Sequence, residues 1–154
     1  MGESLASYLQ PIIIHLGEST LNMIKDDFVQ YPEFREGCFR LVEMIVKHCT
    51  AGLFQLSSDK FQTIILTILF ALKHEKPELM EIGLETMQAL DMLVSTEPSV
   101  ATIFYQNFYL LIIKDVLTVM TDYRHMSGFK LQAQILQQLI CSVEVEGIIL
   151  AKLN

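Results

Sequence analysis

The apolar residues of this 154-residue chain recur with the spacing of an α-helix along almost its whole length. Between Ser58 and His74 they follow one another at steps of three and four residues, which places them on one helical face. The members of that stripe are Phe61, Ile64, Ile65, Ile68, Leu69 and Leu72. Leu66 and Phe70 lie off the stripe, so this helix is apolar on more than one side and we expect it to pack between neighbours.

Prolines and the same periodicity mark the other helices. Pro32, Pro77 and Pro98 stand where helices can begin, because the first helical residue needs no backbone N–H. We predict helices at about 11–27, 33–50, 58–74, 77–95, from Pro98 to about residue 122, 128–143 and 145–153. The expected inward stripe of the second helix is Phe34, Cys38, Leu41, Val42, Ile45 and Cys49.

The predicted helices alternate between two classes at regular intervals. One class opens near Pro11, Ser58 and Ile103, at intervals of 47 and 45 residues. The other opens near Pro32, Pro77 and Gly128, at intervals of 45 and 51 residues. A helical hairpin that repeats every 40-odd residues is typical of an all-α HEAT-repeat solenoid.

The interval pattern predicts one HEAT-repeat segment over residues 1–154. Its hairpins are expected at about 1–31 (partial), 32–74, 77–122 and 126–154 (partial). A closed bundle of the same helices could show a similar alternation by accident, and that alternative stays open at this point.

Composition and charge exclude several classes of protein. Hydrophobic residues make up 51% of the chain and charged residues 19%, which excludes intrinsic disorder. A net charge of −7 argues against direct nucleic-acid binding, since phosphate contacts require clustered Lys and Arg. The longest apolar run, interrupted at Thr67, is shorter than the roughly 20 residues that cross a bilayer, so we expect no membrane insertion. Three cysteines form no disulfide framework, which favours a reducing compartment.

The motifs of common active sites do not occur in the sequence. It contains no glycine-rich phosphate loop, no HExxH zinc motif and no nucleophile elbow. His125 follows Asp122, Tyr123 and Arg124, a group that could imitate an acid–base site but is better interpreted as a turn with local side-chain bonds. We therefore expect neither an enzyme nor a cofactor or metal site.

Polar residues form a narrow line on each of three helices. They are spaced by three, four or seven residues, so each set lies on one face. The first line is His15, Glu18, Asn22 and Lys25, and the second is Lys60, Thr63, Thr67 and His74. The third is Asn107, Lys114, Thr118 and Thr121. In a solenoid these helices would expose one strip along the concave surface, and we predict that this strip binds a partner through Lys60, Thr63, Thr67, Asn107, Lys114, Thr118 and Thr121. A face that is merely solvated is the other interpretation.

A collinear series of short segments closely resembles a known family. The segments include Leu21–Ile24, Asp27-Phe28, Tyr31–Glu33, Arg35, Lys73-His74, Gly83-Leu84, Phe104–Gln106, Thr121-Asp122, His125, Gly128, Ile135-Leu136 and Leu153-Asn154. In this order they are similar to the C-terminal part of the nuclear export receptors of the karyopherin-β family. The resemblance covers about residues 21–154.

The resemblance implies a HEAT-repeat receptor that has no catalytic activity of its own. Such receptors bind Ran-GTP and leucine-rich export-signal cargo cooperatively and pass through nuclear pores by contacts with nucleoporins, so they shuttle between nucleus and cytoplasm. The export-signal cleft of the family lies in earlier repeats, so this chain would supply scaffold and a surface facing Ran. The alternatives are a HEAT scaffold of another importin-β relative or of a regulatory subunit, and a self-contained helical bundle with a ligand pocket.

Overall fold

The computed structural model describes residues 8, 11, 12, 15 and 32–146. Its helices are α1 (Pro32–His48), α2 (Thr50–Phe54), α3 (Ser58–Leu72), α4 (Pro77–Val94), α5 (Pro98–Met120), a 3₁₀ helix (Tyr123–Gly128) and α6 (Phe129–Glu146). No β-strand occurs in this part of the chain. Most of the helix predicted at 11–27 and most of the one predicted at 145–153 lie outside the described residues.

The long helices begin and end close to the predicted positions. Pro77 and Pro98 occupy the first turns of α4 and α5, where the missing N–H costs no hydrogen bond. Ser57 stands at the N-cap of α3, although its side chain makes no capping hydrogen bond. The sequence did not predict α2 or the 3₁₀ helix, because five or six residues are too few to establish a helical period.

The helices form two layers. The first contains α1, α4 and α6, with α4 packed against both of the others, and the second contains α3 packed against α5. Across the layers, α3 packs most closely on α4 and α5 on α6. Among the described elements, α1 and α6 both contact α4 but do not pack together. This open stack is a HEAT-like α-solenoid, in which each element buries its apolar face against successive neighbours.

One continuous apolar core runs between the layers. It includes Leu53, Ile65, Leu72, Leu84 and Leu90, none of which is exposed to solvent. A smaller cluster joins α1, α3 and α4 through residues Phe39, Ala71, Leu79 and Ile82. The inward position predicted for Phe34 is wrong: its side chain is half-exposed, and Phe39 is the phenylalanine of α1 that is buried. Phe34 therefore faces solvent at a position that periodicity assigned to the core, whereas the adjacent Arg35 is buried.

Gly83 marks the closest approach of two helices. A Cβ atom at this position would overlap the backbone of Leu72 and Ala71 on α3. Glycine allows the two helix backbones to approach each other without a side chain between them. The α3–α4 contact consequently depends on a missing side chain as well as on apolar burial.

Helix α5 is the longest helix of the described part, at 23 residues. It is long and apolar enough to cross a membrane, but the core helices of soluble proteins can have the same length and composition. In the fold it packs on α3, α4 and α6. These contacts bury about a third of its most apolar 18-residue stretch, and apolar side chains such as Leu110 stay exposed.

Candidate functional site

Six of the seven residues predicted to bind a partner lie at least partly at the surface. Asn107, Lys114, Thr118 and Thr121 are exposed on α5, whereas Lys60 and Thr63 are half-buried on α3. The two helices that carry these residues, α3 and α5, are neighbours in one layer of the stack. These six residues are called the polar strip below.

Thr67 is not part of this surface. Its side chain is 1% exposed and lines a small void between α1, α3 and α4. Its hydroxyl donates to the Thr63 carbonyl oxygen at 2.8 Å, so burial leaves no unpaired donor. The expectation that Thr67 is exposed is wrong, because α3 is covered on two sides and position 67 faces α1 and α4.

The donors of the polar strip are largely used within their own helices. The hydroxyls of Thr63 and Thr118 donate to carbonyls four residues earlier, at 2.9 and 2.8 Å. Thr121 does the same to Leu117, and the Asn107 amide donates to Ile103. Such bonds leave hydroxyl and amide oxygens as acceptors. The strip therefore offers acceptors and the ammonium group of Lys114 to a partner.

Apolar side chains interrupt the strip on α5. Ile103, Leu110 and Leu117 are 62%, 70% and 44% exposed, and their seven-residue spacing puts them on one face of the helix. Beside this face lies an open groove of about 420 Å³ between α2, the start of α3 and α5. Its lining includes Leu53, Phe54, Leu56, Phe61, Val100, Ile103, Phe104, Asn107 and Phe108. The surface predicted as polar is thus mixed, and the sequence analysis did not detect its apolar part.

Ion pairs join the turn between α3 and α4 to the end of α5. The Lys73 ammonium donates to Asp115 Oδ2 at 2.7 Å, and the Arg124 guanidinium contacts both Glu75 and Asp122. The hydrogen bonds from Arg124 hold the pKa of Asp122 at about 2. This group of charges fastens α3 and α4 to α5 and the 3₁₀ helix.

The interpretation of residues 122–125 as a turn is confirmed. Asp122 stands at the N-cap of the 3₁₀ helix and its carboxylate accepts the Arg124 N–H at 3.0 Å. His125 is buried, with Nε2 at 3.2 Å from the Lys73 carbonyl oxygen and Nδ1 at 3.3 Å from Asp122 Oδ2. Nε2 therefore contacts a backbone oxygen, whereas buried Nδ1 lies near the Asp122 carboxylate without forming a hydrogen bond.

A second polar group lies inside the fold, where α4, α5 and α6 meet. Asp91 is completely buried, and its carboxylate accepts hydrogen bonds from Tyr105 Oη at 2.8 Å and Gln138 Nε2 at 2.7 Å. Burial raises the pKa of Asp91 and raises that of Tyr105 to about 12. The sequence analysis missed this group, although an acid within the apolar run of α4 is a detectable signal.

Neither the cysteines nor the acidic residues form a reactive centre in the described part. Burial raises the pKa of the Cys38 thiol to about 11, which keeps it protonated and unreactive. All three cysteines, including half-buried Cys49 and exposed Cys141, are free thiols. Within the described ranges, no three His, Cys, Asp or Glu side chains are grouped to hold a metal ion.

The two-layer stack of helices defines the class of protein: it is a HEAT-like α-solenoid. The CRM1 C-terminal family profile matches residues 1–154. The chain belongs to this family.

The curated relatives are exportins from different organisms. The chain is 36% identical over 126 residues to Exportin-1 of Schizosaccharomyces pombe, and 36% identical over 128 residues to Protein EXPORTIN 1B of Arabidopsis thaliana. It is 32% identical over 127 residues to Exportin-1 of Dictyostelium discoideum. These alignments cover 81–82% of the chain and 12% of each relative. The resemblance to export receptors is therefore confirmed, and the chain spans about 12% of the length of these relatives.

Proposed function

We propose that this chain is a C-terminal segment of a nuclear export receptor, in which it serves as a protein-binding scaffold rather than as an enzyme. The observation that carries the proposal is the match of residues 1–154 to the CRM1 C-terminal family. The relatives named Exportin-1 support it, since their similarity extends over most of the chain. The complete receptor would bind Ran-GTP and export-signal cargo, contact nucleoporins and shuttle between nucleus and cytoplasm.

The contacts between helices explain how such a segment contributes without chemistry of its own. Lys73 and Asp115 connect the α3–α4 turn to α5, and Asp91 connects α4 to both α5 and α6. Because of these contacts, a rotation of one helix pair would also displace the next pair. In a long array such small displacements add up, and they can couple distant binding sites.

The polar strip is the part of this segment that we assign to partner contact. Its six residues lie on the layer formed by α3 and α5, next to exposed Ile103, Leu110 and Leu117. An ammonium group among acceptors and apolar side chains suits a folded protein surface with a complementary acidic group. In the full receptor this partner would be Ran or another part of the receptor itself.

A chimeric receptor tests the function. This chain replaces the aligned segment of Exportin-1 from Schizosaccharomyces pombe, and nuclear export of a reporter with a leucine-rich signal is measured in cells depleted of the native receptor. We expect the chimera to restore export. A matched chimera with Gly83→Val, which prevents the α3–α4 approach, should not restore it. A stable chimera that binds neither Ran-GTP nor cargo would refute the proposal.

The role of the strip requires a separate measurement. In the same chimera, Lys114→Glu reverses the charge at the exposed centre of the strip on α5, and Lys130→Glu makes the same change on α6 outside the strip. We expect the first variant to weaken Ran-GTP binding or its coupling to cargo by about tenfold, the loss expected for one charge contact of about 1.4 kcal/mol. Equal behaviour of the two variants would show that the strip is only solvated.

A further inference from the structure

Helix α5 keeps a regular row of apolar side chains at the surface. Although α5 packs on three other helices, its most apolar 18-residue stretch is only 33% buried. Ile103, Leu110 and Leu117, which are 62%, 70% and 44% exposed, lie seven residues apart on one helical face. A single exposed apolar residue is ordinary, whereas a row of them on one face indicates a contact surface.

Polar residues occupy the positions between the apolar ones. Asn107, Lys114 and Thr121 are exposed on the same helix and also follow one another at intervals of seven residues. From Ile103 to Thr121 the combined row advances by four, three, four, three and four residues. This is the heptad spacing with which one helix packs lengthwise against another. The six residues, which extend over about 27 Å of helix, are called the heptad row below.

The open groove continues the heptad row at its N-terminal end. Ile103 and Asn107 belong to the row and also line the groove of about 420 Å³ between α2, α3 and α5. Three aromatic rings stand around it, since the ring centroid of Phe61 lies 6.3 Å from that of Phe104 and 6.5 Å from that of Phe108. Aromatic walls suit a large apolar side chain. A helix lying on the row would therefore have space for one such anchor at its end, which fixes its position along α5.

Lys114 selects the charge of the partner. It is exposed near the centre of the heptad row, between Leu110 and Leu117. The adjacent carboxylate of Asp115 is buried and accepts the Lys73 ammonium at 2.7 Å. A helix that covers the row would partly desolvate the Lys114 ammonium, which favours an acidic residue opposite it and repels a cation. Parallel pairing of two copies of α5 in register would place one Lys114 against the other, so a second copy of this chain fits poorly.

We propose that the heptad row and the groove bind an amphipathic helix of another protein. That helix has leucine or isoleucine side chains facing Ile103, Leu110 and Leu117, a large apolar side chain for the groove and an acidic residue facing Lys114. This binding mode rests on the proposed role of the polar strip in partner contact and specifies the kind of partner. The apolar residues supply most of the binding energy, whereas the polar residues set register and charge.

Fluorescence anisotropy of a labelled synthetic peptide tests the site on the 154-residue chain. The probe is a three-heptad helical peptide with leucine in its apolar positions, a phenylalanine at one end for the groove and one glutamate placed to face Lys114. A matched peptide carries lysine in place of that glutamate. We expect the glutamate peptide to bind with a dissociation constant on the order of 10 µM, and the lysine peptide to bind about tenfold more weakly. No binding of the first peptide, or equal binding of both, would overturn the proposal.

Variants of the chain identify the surface that the peptide occupies. Leu110→Ser should weaken binding about tenfold, whereas Met92→Ser, at a side chain that is 61% exposed on α4 in the other layer, should leave it unchanged. Lys114→Glu should reverse the preference, so that the lysine peptide binds more tightly than the glutamate peptide. Unchanged binding in both Leu110→Ser and Lys114→Glu would place the peptide elsewhere and reject the site.

Two further measurements separate the helix site from a second copy of the chain and from the export function. Sedimentation velocity compares the unsubstituted chain with Leu110→Ser. Self-association that Leu110→Ser abolishes would assign the heptad row to a second copy and reject a helix of another protein. A reversed peptide preference in Lys114→Glu, together with unchanged Ran-GTP binding and cargo coupling of the chimera, would support the helix site and refute a contact with Ran.

Discussion

The contact between α3 and α4 and the junction of α4 with α5 and α6 are held together by different forces. At the first, Gly83 lets two backbones approach, and the surrounding residues are almost entirely apolar. At the second, the buried carboxylate of Asp91 binds Tyr105 and Gln138. The first contact depends on volume and is insensitive to charge, whereas the second depends on hydrogen bonds and on protonation. The two helical interfaces of one stack should therefore fail under different substitutions.

The largest expected effect is at the apolar contact. Gly83→Val should lower the free energy of unfolding by about 3 kcal/mol, because its side chain overlaps the α3 backbone, which cannot move aside easily. Urea denaturation measures the change. Gly37→Ala is the control: no described atom lies within 4 Å of a Cβ at that helical position, so we expect a gain of about 0.5 kcal/mol. Equal losses in both variants would refute the role of close backbone approach.

A hydroxyl deletion tests the polar junction. Tyr105→Phe preserves the ring and removes the Oη donor from Asp91, leaving the buried carboxylate with fewer hydrogen bonds. We expect a loss of about 2 kcal/mol in the free energy of unfolding. Tyr123→Phe, at a side chain that is 83% exposed, should change stability by less than about 0.5 kcal/mol. A neutral Tyr105→Phe would mean that the junction is held by apolar contacts after all.

The ion pair between the layers should contribute less than either interface. Lys73→Met removes the partner of Asp115, whose side chain is only 12% exposed, and should cost about 1 kcal/mol at low salt. The loss should shrink as salt screens the pair in the unsubstituted chain. Arg40→Gln, which breaks the fully surface pair with Glu36, should cost about 0.3 kcal/mol. Chemical denaturation at two salt concentrations distinguishes these expectations from a salt-independent packing defect.

The smallest expected effect is a change in the slope of stability against pH. Burial raises the folded pKa of Asp91 above its unfolded value, so the folded state binds the proton more tightly. The stabilisation this provides is complete below the unfolded pKa and is lost as pH rises through the folded pKa. Asp91→Asn should remove this loss of stability with rising pH, because the substituted amide stays neutral. Gln138 can rotate its own side-chain amide to form a hydrogen bond with the new amide.

The test is to measure the free energy of unfolding of the unsubstituted chain and of Asp91→Asn from mildly acidic to neutral pH. The difference between the two curves should grow with pH in favour of the D91N variant. Parallel curves would show that the carboxylate of Asp91 has the same pKa in the folded and unfolded states. The apolar contact at Gly83 should show no comparable dependence on pH, which sharpens the contrast between the two interfaces.

The sequence predicted the long helices well because proline positions and apolar spacing are local signals. Pro77 and Pro98 begin α4 and α5 as expected, and α3 ends within two residues of its predicted end. The predicted burial of Phe34 was wrong, because apolar spacing alone cannot show whether a residue in the first turn of a helix is covered by a neighbour. It also failed for Thr67, because polarity indicated exposure while the packing of α1 and α4 on α3 buries that position.

The candidate site was predicted only in part, for a related reason. Spacing placed Asn107, Lys114 and Thr118 correctly on one exposed face of α5. It did not reveal that Leu110 is exposed on the same helix, since an apolar residue is assigned to the core by default. Nor did it associate Lys73 with Asp115, which are 42 residues apart in the sequence and meet only when the α3–α4 turn packs against α5.

The sequence by itself determined the helical class, the order of the long helices, the repeated alternation and the membership of an export-receptor family. Each of these follows from local spacing or from collinear similarity, which do not depend on how helices are placed in space. Only the tertiary structure decided which backbones approach at Gly83, that Asp91 is buried, and that Lys73 pairs with Asp115. These features arise between helices, where burial and distance rather than residue type set the energy of a group.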